Sequence, residues 1–345
     1  MLREATVHVD WGEKTMSMLR EKQFEACERR LNAHPSIGLF SPEATSQEVQ
    51  ELWECSYYRQ EMPTALADLE GLREQVFKQL PLEVRYLSQG ESALLERLLI
   101  CNGSIELGEW DDIGAAEALV SRLWCSFRAL EDVWILELPG TLHVPMLTAM
   151  DCPEYSVARE ILFRYEAMMM GLLYITGFLH SDQPIDLFLQ DVTRSQSEQC
   201  KHFARRYLQS TFEYMLDRHQ ELILLHPGLA DPYRLISAMG NDAFFTMELS
   251  QTILSGGMNG IFPEEESLHQ DMCGALANRL RPECDVTEAA EDLRMLVKQG
   301  VSLEELQEVM ASMLCVLPTE EMKAALVQLH QRTPHWVGLK TSLQH

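Results

Sequence analysis

Three side chains able to bind a metal ion recur at helical spacing near residue 270. In EEESLHQDMC, Glu266, His269 and Cys273 fall at i, i+3 and i+7, which places them on one face of a helix. Thiolate and imidazole are zinc ligands, and a carboxylate can complete the set. A divalent metal is the cofactor they would hold, and a metal-dependent helical-bundle enzyme centred on Glu266 and His269 is the activity they would serve. A two-metal carboxylate bundle, however, needs two Glu-x-x-His pairs and two further Glu residues. Only Glu266-x-x-His269 has that spacing; Glu198 and His202 are four apart, and Glu160, Glu166 and Glu213 would have to supply the rest. A single half-motif reads more simply as a solvated helix start with a half-buried thiol, so no cofactor is expected.

The most basic stretch, RSQSEQCKHFARRYL, suggests a second chemistry. Arg194, Lys201 and Arg205 lie at spacings of seven and four, with His202 and Arg206 beside them, a stripe that could grip a phosphate or an acidic partner. Glu198 falls within the stripe and would partly neutralise it, which favours an ordinary solvated face. The glycines of SGGMNG at 255–260 lack both the preceding strand and the following Lys-Ser/Thr of a phosphate loop. No Gly-x-Ser-x-Gly elbow is present. No catalytic group stands out.

Composition narrows the partners. The 345 residues carry 53 acidic and 28 basic side chains, a formal charge of -25, and no segment is basic. Nucleic acid and anionic membranes are therefore unfavoured, since both require a Lys/Arg footprint, whereas a protein partner suits an acidic, apolar-rich chain. The nine cysteines are scattered singly, without a CxxC pair, as expected of a reducing cytoplasm. The first residues, MLREATVHVDWGEK, do not have the apolar core of an export signal. The longest apolar run, AMMMGLLYITGFL, spans only about 20 Å as a helix against the roughly 30 Å of a bilayer core, so a buried helix is expected.

These residues must be positioned by a mainly α fold. Residues 1–80 read as helices broken at HPSIGLFSPEATSQ, with a third helix running from Pro63 to just before Pro81. Residues 81–150 read as helix (GESALLERLLICNG), short strand (SIELGEW), helix (111–127) and a β-hairpin at 133–147 that turns on Pro139-Gly140. That order is winged-helix-like. Residues 151–345 read as an all-helical domain in which SQSEQCKHFARRYLQSTFEYMLDRHQELILL is one helix. A tail at 284–333 carries three short helices, 286–299, 302–316 and 319–332, with cap signals at Asp285/Glu288 and Ser302/Glu305 and a stop at Gly300. Their apolar faces are expected to dock on the Met-rich helix around 168–179.

The hairpin unit tests the regulator reading. Its presumptive recognition helix carries Asp111, Asp112 and Glu117 against Arg122, and the hairpin adds Glu131, Asp132 and Glu137. Phosphates would repel both elements. The sequence therefore points first to a non-enzymatic cytoplasmic protein acting through protein contacts, an adaptor or regulatory component. A metal-dependent enzyme comes second and a winged-helix transcriptional regulator third.

Overall fold

The computed structural model describes residues 28–46, 48–57, 68–108, 111–130, 133–195, 197–219, 221–229, 231–239, 261, 263–282 and 284–336. The fold is mainly α, with two small three-stranded sheets. The N-terminus, the start of the first helix, the glycines at 255–260 and residues 131–132 lie outside the described residues. No described helix is long and apolar enough to cross a membrane.

The chain forms two compact units, and neither is a single chain segment. Within the described residues, one gathers 28–166 and 180–224, the other 167–179 and 225–336.

In the first unit, α1 (Val49–Cys55) and α2 (Leu69–Glu83) precede α3 (Gln89–Ile100). Asp68 caps α2 by accepting from Gly71 N, and the helix runs through Pro81 rather than ending before it. At the start of α3, Ser88 and Glu91 form a reciprocal capping box. The helix ends where Asn102 and Gly103 adopt positive φ. Gly103 is required there, because a Cβ would lie 2.5 Å from the Leu138 carbonyl oxygen.

β1 (Ser104–Leu107), α4 (Asp111–Ser121), β2 (Ser126–Leu130) and β3 (Val133–Glu137) follow. The sheet is antiparallel in the order β1-β3-β2, with Phe127 opposite Leu136 and Ile105 opposite Leu136 on the other side. The hairpin is therefore β2–β3 at 126–137, not 133–147. Pro139-Gly140 does not turn a hairpin; it starts α5 (Gly140–Met150). Leu142, Met146 and Ala149, all buried, occupy one face of this helix at i, i+4 and i+7. The order helix, strand, helix, hairpin is observed, with the hairpin displaced toward the N-terminus. Its inner face and the helices enclose one core of Leu, Val and aromatic side chains that includes Leu72, Leu95, Leu119, Trp124 and Leu136.

α6 (Pro153–Thr176) contributes residues to 166 to the first unit and the rest to the second. After it come β4 (Phe178–His180), α7 (Asp182–Leu187), which continues as a π-helical turn Phe188–Thr193, α8 (Glu198–Thr211), β5 (Glu213–Leu216) and β6 (Leu222–Leu225). The second sheet, in the order β4-β6-β5, corrects the all-helical reading of 151–345. The single long helix expected over 195–225 ends at Thr211. Asp217 then closes a tight turn by accepting from His219 N and Glu221 N.

In the second unit, α9 (Pro232–Met239), α10 (Pro263–Leu276), α11 (Val286–Lys298), α12 (Leu303–Met313) and α13 (Glu320–Arg332) complete the chain. The expected caps are present: Asp285 accepts from Thr287 N and Glu288 N, Ser302 and Glu305 form a capping box, and Gly300 adopts positive φ after α11. The tail helices bury their leucines chiefly with α10, in a core that includes Leu268, Met272, Leu293, Leu306, Met310, Leu326 and Leu329. They reach the end of α6 through Trp336, whose Nε1 donates to the Tyr174 carbonyl at 2.9 Å.

Candidate functional site

The hairpin presents two unlike faces. Alternation turns Phe127, Trp134 and Leu136 inward, where the Phe127 and Trp134 rings lie 6.4 Å apart. Arg128, Leu130, Val133, Ile135 and Glu137 fall on the opposite face. Leu130 is 51% exposed, Val133 and Ile135 are half-buried, and Arg128 is ion-paired with Glu137 at 2.6 Å. The one cation of the hairpin strands is thus neutralised within the hairpin. A short apolar strip remains at the outer surface, with charge along one side.

The described side chains of α4 leave no exposed face to read a groove. None of the side chains described between 113 and 121 is exposed. The helix packs on α3 and α8. Glu117 receives the Arg30 guanidinium, with Nη2 at 2.7 Å. Recognition helices carry exposed basic and polar side chains, whereas the burial of this one makes it part of the core.

The same unit holds a buried ionic network. Arg122, just past α4, donates to Glu83 at 3.3 Å and to Glu91 at 3.1 Å, and all three side chains are buried. Burial alone would lower the Arg122 pKa, but Glu91 and Glu83 outweigh it and hold the guanidinium firmly charged. The other oxygen of Glu91 accepts from Ser88 N at 2.6 Å, so one carboxylate both caps α3 and anchors Arg122. Arg206 of α8 approaches Glu83 at 3.7 Å, and the ring of Tyr57 lies beneath both guanidinium groups.

A second node grips the same helix start from α6. Arg159 donates to the carbonyls of Leu87 and Ser88. Glu166 accepts from Gln89 N at 3.1 Å and from the hydroxyl of Tyr207. Burial raises the Glu166 pKa to about 7, against the opposing effects of Tyr207 and Arg159. Each carboxylate here is engaged by a donor of the same unit, so the network braces the helices rather than awaiting a substrate.

In the second unit Glu265 plays the comparable part. It accepts from Arg294 at 3.2 Å, from Lys298 at 3.2 Å and from the Tyr174 hydroxyl, and the Lys298 ammonium lies 3.9 Å above the Tyr174 ring. Burial lowers the Lys298 pKa, and lowers that of Arg294 to about 10.

The residues singled out by spacing are only partly brought together. His269 Nε2 and Cys273 Sγ are 3.6 Å apart on α10. Glu266 is exposed and bonds Gln270 at 3.3 Å. The carboxylate facing His269 is instead Glu291, 3.9 Å from Nδ1. Among the described residues no three His, Cys, Asp or Glu side chains already surround one metal position. Two other carboxylates of the two-metal reading are employed elsewhere, in the other unit: Glu166, one of the further carboxylates, at the start of α3, and Glu198, of the pair with His202, with Lys201 at 2.8 Å.

In the basic stripe, Arg194 is exposed in the left-handed conformation, Lys201 is held by Glu198, His202 is exposed and Arg205 is half-buried. Arg206, beside them, is the one turned inward. Spacing in the sequence does not single out Glu83 or Glu91 and gives Arg122 only as the basic residue of the presumptive recognition helix, although Ser88-x-x-Glu91 is a legible capping box. The chain matches no protein-family model, no curated protein and no solved structure.

Proposed function

We propose that the protein is a non-enzymatic component, an adaptor or regulator of the cytoplasm, whose winged-helix-like unit meets another protein through the outer face of its hairpin. The observation that carries this reading is the inversion of exposure in that unit. The helix that would read DNA is buried, while Leu130, Val133 and Ile135 line the outer strand face. Exposed apolar strips rimmed by charge mark protein contacts. A reducing compartment suits the described cysteines, which are all free thiols.

The test has two arms. Tagged protein isolated from its own cells is compared with Leu130→Glu/Ile135→Glu, both changes lying on the outer face. A stoichiometric partner that co-purifies with the parent and is lost from the variant supports the reading. Duplex DNA binding at physiological salt, falling steeply as salt rises, overturns it in favour of the regulator.

A further inference from the structure

α5 is a helix with two apolar faces. Leu142, Met146 and Ala149 are buried in the core, yet on the opposite side Val144 is 71% exposed and Leu147 53% exposed. Val144, Leu147 and the helix-ending Asp151 follow one another at intervals of three and four, so they form a single outer stripe. Exposed Thr141 and Thr148 flank it, and the Thr148 hydroxyl is turned back to donate to the Val144 carbonyl at 2.8 Å. Alone among the described helices, α5 contains no Asp, Glu, Lys or Arg. A helix face meant for water carries charge, and this one does not.

The charge beside the stripe has one sign. Asp151 ends it, exposed Glu154 follows in the first turn of α6, and the last turn of α5, where the helix carbonyls add partial negative charge, holds no basic residue. Among the described residues neither carboxylate is ion-paired. The next cation along the chain, Arg159, is buried and donates to the carbonyls of Leu87 and Ser88. An apolar stripe about 16 Å long with an acidic end fits the apolar side of another helix whose flanks are basic. A second copy of the chain would instead bring one formal charge of -25 against another, and an anionic bilayer would meet the same acids.

We infer that the outer face of α5 is a docking surface for an amphipathic helix of another protein, with apolar residues against Val144 and Leu147 and Lys or Arg toward Asp151 and Glu154. The face lies outside the hairpin strands, so the inference does not depend on the hairpin being a contact surface.

The test titrates the full chain, at physiological ionic strength, with a synthetic helix of about 18 residues made only of Leu and Lys, the leucines on one face, and follows the anisotropy of a dye on the peptide. One saturable equivalent is expected. Val144→Asp/Leu147→Asp adds two negative charges and would strengthen attraction by the acidic surface as a whole, whereas loss of a docking face should weaken binding by about tenfold or more. Asp151→Lys/Glu154→Lys should weaken it severalfold and flatten its salt dependence. Leu130→Glu/Ile135→Glu, on the hairpin, should bind as the parent does. If Val144→Asp/Leu147→Asp does not keep the parent's thermal midpoint, Val144→Ser/Leu147→Ser takes its place. The inference fails if the folded α5 variant binds the peptide as tightly as the parent, if the Lys variant leaves binding unchanged, if the hairpin variant loses it, or if the parent shows no saturable equivalent. It also fails if the parent dimerises in sedimentation equilibrium, or floats with phosphatidylserine vesicles, and the α5 variant does not, since the face would then belong to a second copy or to a membrane.

Discussion

The two buried ionic networks differ in how they end. Around Arg122 the network is closed: Glu83 and Glu91 are fully buried, their partners are guanidinium groups and a backbone N–H of the same unit, and the Tyr57 ring lies against the Arg122 guanidinium. Around Glu265 it is open: Arg294 passes from buried Glu265 to Glu291, which is 37% exposed and faces His269 and, beyond it, Cys273. Buried ions are costly unless paired, and a closed set serves to hold helices in register. A network that reaches the surface can also orient a side chain for a ligand. The first therefore braces the helices of its own unit, and the second ends at Glu291 and the imidazole of His269.

Arg122→Ala leaves Glu83 and Glu91 buried with their principal cation removed and should cost about 3–5 kcal/mol, on the order of 10 °C in thermal midpoint. A loss below about 1 kcal/mol in chemical denaturation would show that water enters the network and that it is not closed. Glu265→Gln should cost less, roughly 1–3 kcal/mol, because Arg294 retains Glu291 and only Lys298 loses its carboxylate. An equal or larger loss than Arg122→Ala would reverse the ranking of the two networks.

Glu166 sharpens the picture through pH. Its folded-state pKa is raised from 4.5 to about 7, so folding favours the protonated acid. The associated stability is fully present below 4.5 and is lost as pH rises toward 7. Glu166→Gln keeps the acceptor for Gln89 N and Tyr207 and should flatten this dependence, raising the midpoint at pH 8 by about 1–4 °C while changing little at pH 4. A variant curve parallel to that of the parent would mean that Glu166 titrates as an ordinary surface carboxylate. The smallest effect on stability is expected at Leu130→Glu, within about 0.5 kcal/mol, as for a surface position.

The sequence revealed elements that announce themselves locally and concealed those decided at a distance. The caps at Asp285 and Ser302 and the stop at Gly300 were legible because each is a short-range hydrogen-bond or φ requirement. The sequence puts the hairpin too far toward the C-terminus because TLHVPML is mostly apolar and Pro-Gly is strong turn chemistry, although Leu142, Met146 and Ala149 carry a helical period. β5 and β6 were absorbed into a helix because β5 has no fully buried residue and the turn at Asp217 is built of residues that helices tolerate. The pair at His269 and Cys273 followed from i, i+4 spacing. Glu291 could not, since α11 brings it there only through packing. Glu83, Glu91 and Arg122 lie far apart in sequence, and only the fold assembles them in one interior.

Recovery of the parent protein and of Leu130→Glu/Ile135→Glu from the same cells, with the co-purifying proteins quantified side by side, tests the contact reading most directly. One protein is expected at stoichiometric level with the parent and is expected to be lost from a variant whose thermal midpoint is unchanged. An identical set of proteins with both, at equal yield, would contradict it.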